Sequence, residues 1–183
     1  MNKIFIILFL SFYNFFFIIS AGFTEEEKIK IGLLVPLSGD NSEIGKQIIK
    51  ATRLAIKDIN SNRIEIFPKD TKSDPNQTLL SAIELQQQGI NLVIGPIFYE
   101  NLVYLNEVEN LSFLSFTNKT LNLPKNVISA GINSTSQFNT IKKFLEKNDV
   151  ERTIFLTPIQ EYEFEIKKGM KDSKIKTYKE YDY

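Results

Sequence analysis

Lys28-Ile29-Lys30-Ile31-Gly32-Leu33-Leu34-Val35, followed by Pro36-Leu37-Ser38-Gly39-Asp40-Asn41, decides how the rest of the chain is read. Its first half alternates polar and apolar residues and its second half is continuously apolar, as in a strand entering a parallel sheet buried on both faces. The turn-forming cluster 36–41 then breaks the run. Ser42 and Glu43 open a helix in which Ile44, Ile48, Ala51, Ala55 and Ile59 recur at helical spacing, with Ile49 and Ile56 widening the stripe. A helix with such a stripe is expected to bury it against a sheet.

Downstream the same alternation repeats. Residues 63–67 alternate as a second strand. Asp74 stands before Pro75, the arrangement of an N-cap with proline at the first helical position. The helix that follows carries Leu79, Leu80, Ile83 and Leu85 and stops at Gly89, where glycine permits a left-handed cap. Strands are expected at 91–94, 112–115 and, shorter, 127–129, with a helix at about 99–110 between the first two. A helix at 136–147, capped near Ser134, precedes a strand at 152–156, a helix at 162–171 and a last strand at 174–178. The expectation is an α/β fold, an open and mostly parallel sheet sandwiched by helices through right-handed crossovers. Ligands in such sheets sit beyond the carboxyl ends of the strands. The loops to watch are therefore 36–41, 95–99, 116–120 and 158–162.

Upstream lies a leader. Met1-Asn2-Lys3 is a short positive start, residues 4–21 are uncharged and rich in Phe and Ile, and Ser20-Ala21-Gly22 are small. That order is the layout of a signal peptide over 1–21, cleaved near Gly22 or Phe23. The run also approaches the ~18 apolar residues that can span a bilayer, so an uncleaved anchor stays open. Either way the remainder is expected outside the cytoplasm, in the periplasm, with membrane contact only through this segment.

Composition removes whole classes of chemistry. The 183 residues include no cysteine and no histidine. Disulfides, thiol nucleophiles, zinc–thiolate sites, a lipid-bearing cysteine, Ser-His-Asp triads and imidazole acid–base catalysis are all excluded. Twenty-two basic and twenty-two acidic residues cancel and are interspersed, so there is no basic stripe for nucleic acid. Gly39 to Gln47 superficially resembles a phosphate-binding loop. Its spacing is one residue too long, and Gln47 stands where a magnesium-holding Ser or Thr belongs. No GxGxxG follows the first strand, and no cofactor is expected. Asp70 and Asp74 read either as a cation-binding pair or as turn and cap residues, the second being favoured by the residue types.

The candidate ligand-binding residues are Ser38 in the first loop, Phe98 and Tyr99 in the second, Ser115, Thr117 and Asn118 in the third, and Tyr162. Hydroxyl and amide groups at strand ends can hold a ligand carboxylate or amide without catalysis. Tyr99 and Tyr162 could wall a cleft, or be surface residues with buried edges.

Four stretches in order carry a family resemblance. They are Lys30-Ile31-Gly32-Leu33-Leu34-Val35-Pro36-Leu37-Ser38-Gly39, Ile44-Gly45, Lys69-Asp70-Thr71-Lys72-Ser73-Asp74-Pro75, and Gly89-Ile90-Asn91-Leu92-Val93-Ile94-Gly95-Pro96. Together they resemble type I periplasmic binding proteins, which include the leucine/isoleucine/valine-binding components of ABC transporters. Gly95-Pro96-Ile97-Phe98, Ser115-Phe116-Thr117-Asn118, Gly131 with Gln137, and Leu156-Thr157-Pro158 before Tyr162 look more like the penicillin-binding-protein activator branch. Amino-acid binders of the family place small hydroxyl residues where this chain has Phe98-Tyr99-Glu100. The resemblance implies a non-enzymatic, two-lobed protein that closes about a hinge, with 28–148 as its first lobe and 149–183 as an incomplete start of the second. Its implied partner is a peptidoglycan synthase, a small amino-acid-like or peptide ligand being optional. The alternative is the substrate-binding component of an ABC importer for amino acids or amides, docking on a permease.

Overall fold

The computed structural model describes residues 27–159 and 162–183. The leader expected at 1–21 lies outside the described residues. The elements in chain order are β1 (Ile29–Val35), α1 (Ser42–Ile59), β2 (Ile64–Asp70), α2 (Pro75–Gln87), β3 (Leu92–Ile94), two 3-10 turns (Tyr99–Leu102 and Leu105–Glu107), β4 (Ser112–Ser115), β5 (Val127–Ser129), α3 (Ser134–Lys147), β6 (Ile154–Thr157), α4 (Glu163–Ser173) and β7 (Lys179–Asp182).

β1 to β5 form one parallel sheet in the order β2-β1-β3-β4-β5, and β6 pairs in parallel with β7 in a second, two-stranded sheet. From β1 the chain moves through α1 to β2 on one side, then returns through α2 to β3 on the other. Right-handed crossovers therefore put α1 and α2 on opposite faces of the sheet. The order reverses at β1, so the loops after β1 and β3 border the crevice where such sheets take ligands. Pro68 is tolerated inside β2 because that strand is the sheet's edge.

The core sits on the α2 face. Leu34, Val93, Phe113 and Val127 point into it and pack with Ala82, Leu85, Leu102, Leu105, Val108 and Leu111. Gly32 is needed there, since a Cβ would stand 2.7 Å from Leu85 Cδ1 and 3.0 Å from Val93 Cγ2. The opposite face is only partly covered. Leu33 and Val35 are buried, whereas Leu92, Leu114 and Ile128, which share their face by register, are 43%, 36% and 65% exposed.

Three expectations meet differences. The stripe on α1 is not buried as a whole: Ile44, Ala51, Ala55 and Ile59 are exposed, Ile48, Ile49 and Ile56 are half-buried, and Gly45 is the buried residue of the helix. The reason is local. α1 reaches β1 mainly at its start, where a Cβ on Gly45 would stand 1.8 Å from the carbonyl oxygen of Pro36. The expected helix at 99–110 is replaced by the two 3-10 turns. Leu102 and Leu105, one in each turn, are buried, as are Val108 and Leu111 beyond them. The last strand lies at Lys179–Asp182 rather than 174–178, because Lys174 closes α4 in the left-handed region with φ 52°. α3 packs on α4, with the Gly169 Cα surface against Ser134.

Candidate functional site

The loop after β1 is fixed by one carboxylate at the end of β2. Asp70 Oδ1 accepts from the Leu37 N–H at 2.8 Å and the Lys72 N–H at 2.9 Å, and Oδ2 accepts from the Ser38 hydroxyl at 2.6 Å. Burial disfavours the charged form of Asp70. The hydrogen bonds from Ser38, Leu37 and Lys72 outweigh it and hold the carboxyl below its usual range. Asp74 meanwhile caps α2 by accepting from the Gln77 N–H at 2.7 Å. Both aspartates thus do turn and cap work, and among the described residues no group of three or more His, Cys, Asp or Glu could hold a metal ion. Lys46 projects into solvent and pairs with Glu43 at 3.9 Å.

Beyond β4 the polar residues turn inward. Ser115 is fully buried; its hydroxyl donates to the Pro96 carbonyl at 2.7 Å and accepts from the Thr117 N–H at 3.2 Å. Thr117 is 3% exposed, its hydroxyl accepting from the Lys119 N–H at 3.2 Å. Its carbonyl accepts from the Ser129 hydroxyl at 2.6 Å and the Gly131 N–H at 3.1 Å. These two hydroxyls are engaged by the backbone of their own and neighbouring loops. Asn118 and Ser38 are exposed, and Phe98 is half-buried.

Three candidate segments converge on a residue the sequence did not single out. Lys119 is only 6% exposed, and its ammonium lies 3.8 Å from the ring centroid of Tyr99 and 4.9 Å from that of Tyr162. A cation between two aromatic faces is attracted by both ring quadrupoles, more strongly where water is excluded. Next to it, Glu165 from the first turn of α4 is also 6% exposed and accepts from the Thr120 N–H, the Leu121 N–H and the Thr120 hydroxyl. The structure therefore brings Tyr99, the 117–121 turn and Tyr162 together, with Lys119 and Glu165 as the tie. Ser38 lies apart, in the Asp70 network. No local pattern marks Lys119 or Glu165, because their partners come from distant parts of the chain. The one available signal was position just past β4 and β6.

Among the described residues no helix is long and apolar enough to cross a membrane. Residues 28–174 match the family model for periplasmic binding proteins. Over 84 residues the chain is 32% identical to the Leu/Ile/Val-binding protein homolog 1 of Brucella abortus, covering 43% of this chain and 23% of that protein. The fold resembles that of the LpoA C-domain of Haemophilus influenzae, a regulator of PBP1A, with a TM-score of 0.65 at 19% identity over 83% of this chain and 49% of that one. It also resembles the leucine-binding protein LivK of Thermotoga maritima, with a TM-score of 0.56 at 16% identity over 85% of this chain and 48% of that one. The chain spans less than half the length of these proteins. A match that runs from the start of β1 to the end of α4, on a five-stranded parallel sheet of this order, places the chain in the periplasmic binding protein family.

Proposed function

We propose that this chain is an exported, non-enzymatic regulator of the cell envelope that works by contact with a peptidoglycan synthase, as LpoA is a regulator of PBP1A. The observation that carries the reading is the buried cluster just past β4, Lys119 between Tyr99 and Tyr162. On this reading Lys119, in the turn after β4, closes off the carboxyl end of that strand to a small ligand. The Ser115 hydroxyl donates to the Pro96 carbonyl and the Thr117 hydroxyl accepts from the Lys119 N–H, and Phe98-Tyr99-Glu100 adds bulk and negative charge. A ligand carboxylate there would meet Glu100 as a like charge. The division between lobes falls, on this reading, near 131–133, because α3 packs on α4.

The test pairs two measurements on the same preparation. Surface binding to a purified peptidoglycan synthase from the same envelope is expected to be saturable. Calorimetry with leucine, isoleucine and valine is expected to show no saturable heat. Binding of an amino acid at about 1 μM, ~8 kcal/mol, with no binding to the synthase, returns the alternative. That alternative is the substrate-binding component of an ABC importer docking on a permease, which the Brucella relative favours by its name and 32% identity.

A further inference from the structure

A carboxylate that is 6% exposed is costly unless its lone pairs are met by donors. Glu165 meets that need with three donors. Oε1 accepts from the Thr120 N–H at 2.7 Å and from the Leu121 N–H at 2.7 Å, and Oε2 accepts from the Thr120 hydroxyl at 2.8 Å. Two consecutive backbone N–H groups converging on one oxygen make the kind of concavity that binds anions. The hydroxyl adds a second point of attachment that fixes the carboxylate plane. These donors lie in the turn after β4, on the side of the sheet where ligands of open parallel sheets sit, yet the acceptor arrives from α4.

We propose that the Thr120–Leu121 turn is a carboxylate-binding seat whose resident ligand is the chain's own Glu165, and that external monocarboxylates enter it only when that side chain is removed. The proposal deepens the reading of a turn after β4 that the chain closes with its own side chains, on which it rests, by naming the chemistry the seat recognises. A side chain already held on a packed helix binds without the loss of translational and rotational freedom that a free carboxylate pays, so free carboxylate leaves Glu165 in place. The same contact ties the 117–121 turn to α4, beside the Tyr99–Lys119–Tyr162 stack.

The test uses the full chain and acetate as the probe, at constant ionic strength with chloride as the control salt. In Glu165→Ala, the backbone amide resonances of Thr120 and Leu121 are expected to move saturably with millimolar acetate and not with chloride. In the wild-type protein the same amides are expected not to respond. No saturable movement in the variant, or an equal response in the wild type, overturns the proposal. Should Glu165→Ala fail to fold, Glu165→Gln reads the same seat. A neutral acceptor is weaker than a charged one, so hydrogen exchange at Thr120 and Leu121 should quicken about tenfold, and unchanged exchange overturns the proposal. No partner protein enters the readout, so its failure is separate from failure of the synthase-binding reading.

Discussion

At Asp70 one carboxylate holds the Leu37 and Lys72 amides and the Ser38 hydroxyl, and a pH response follows. Its folded-state pKa is depressed, so the unfolded chain binds the proton more readily. The stabilisation is fully present above the unfolded value of about 3.9 and is lost as pH falls through the lower folded value. Thermal unfolding of wild type and Asp70→Asn across pH should therefore show a gap that is constant above about pH 5 and closes in strong acid. A gap independent of pH would contradict the assignment. Asp74 was legible from sequence because a cap is local, needing only Pro75 and a helix behind it. Lys119 and Glu165 were not, because burying a charge is a decision of tertiary contacts. Ser115 and Thr117 were legible as strand-end polar residues, but the direction of a hydroxyl depends on which backbone groups the fold leaves unmet.

The strands show how burial rather than type sets the cost of a substitution. Phe113 lies on the core face of β4 at 1% exposure, and Ile128 lies on the other face of the neighbouring β5 at 65%. Phe113→Ala should cost about 3–5 kcal/mol in urea unfolding, and Ile128→Ala at most about 0.5 kcal/mol, in the range of surface changes. Comparable losses at both sites would mean that the outer face is covered in solution. The five strands of the first sheet were readable because short apolar runs between turn residues leave few other options. Residues 99–110 were misread because an apolar interval of three lies close to the helical interval of 3.6, so the pattern alone does not separate a helix from 3-10 turns. β7 was misplaced by the stop at Lys174. Its position depends on pairing with β6, from Ile154 opposite Lys179 to Thr157 opposite Asp182, which no local pattern states.

Across the whole molecule, one five-stranded sheet and one two-stranded sheet meet through the turn after β4 and the start of α4. The fold class and the family were legible because the order of turn motifs is a one-dimensional signal. The packing of α3 on α4 was not, since a helix's amphipathic stripe names no partner. The central claim is that the chain's own side chains close the turn after β4 to a small ligand, with Lys119 stacked on Tyr99 and Tyr162 and Glu165 seated on Thr120 and Leu121. Its most direct test is the backbone amide spectrum of residues 116–121 during titration of the wild-type protein with leucine. The account predicts that these resonances stay in place up to millimolar leucine. Saturable movement of the Thr120 and Leu121 amides at micromolar leucine would contradict it.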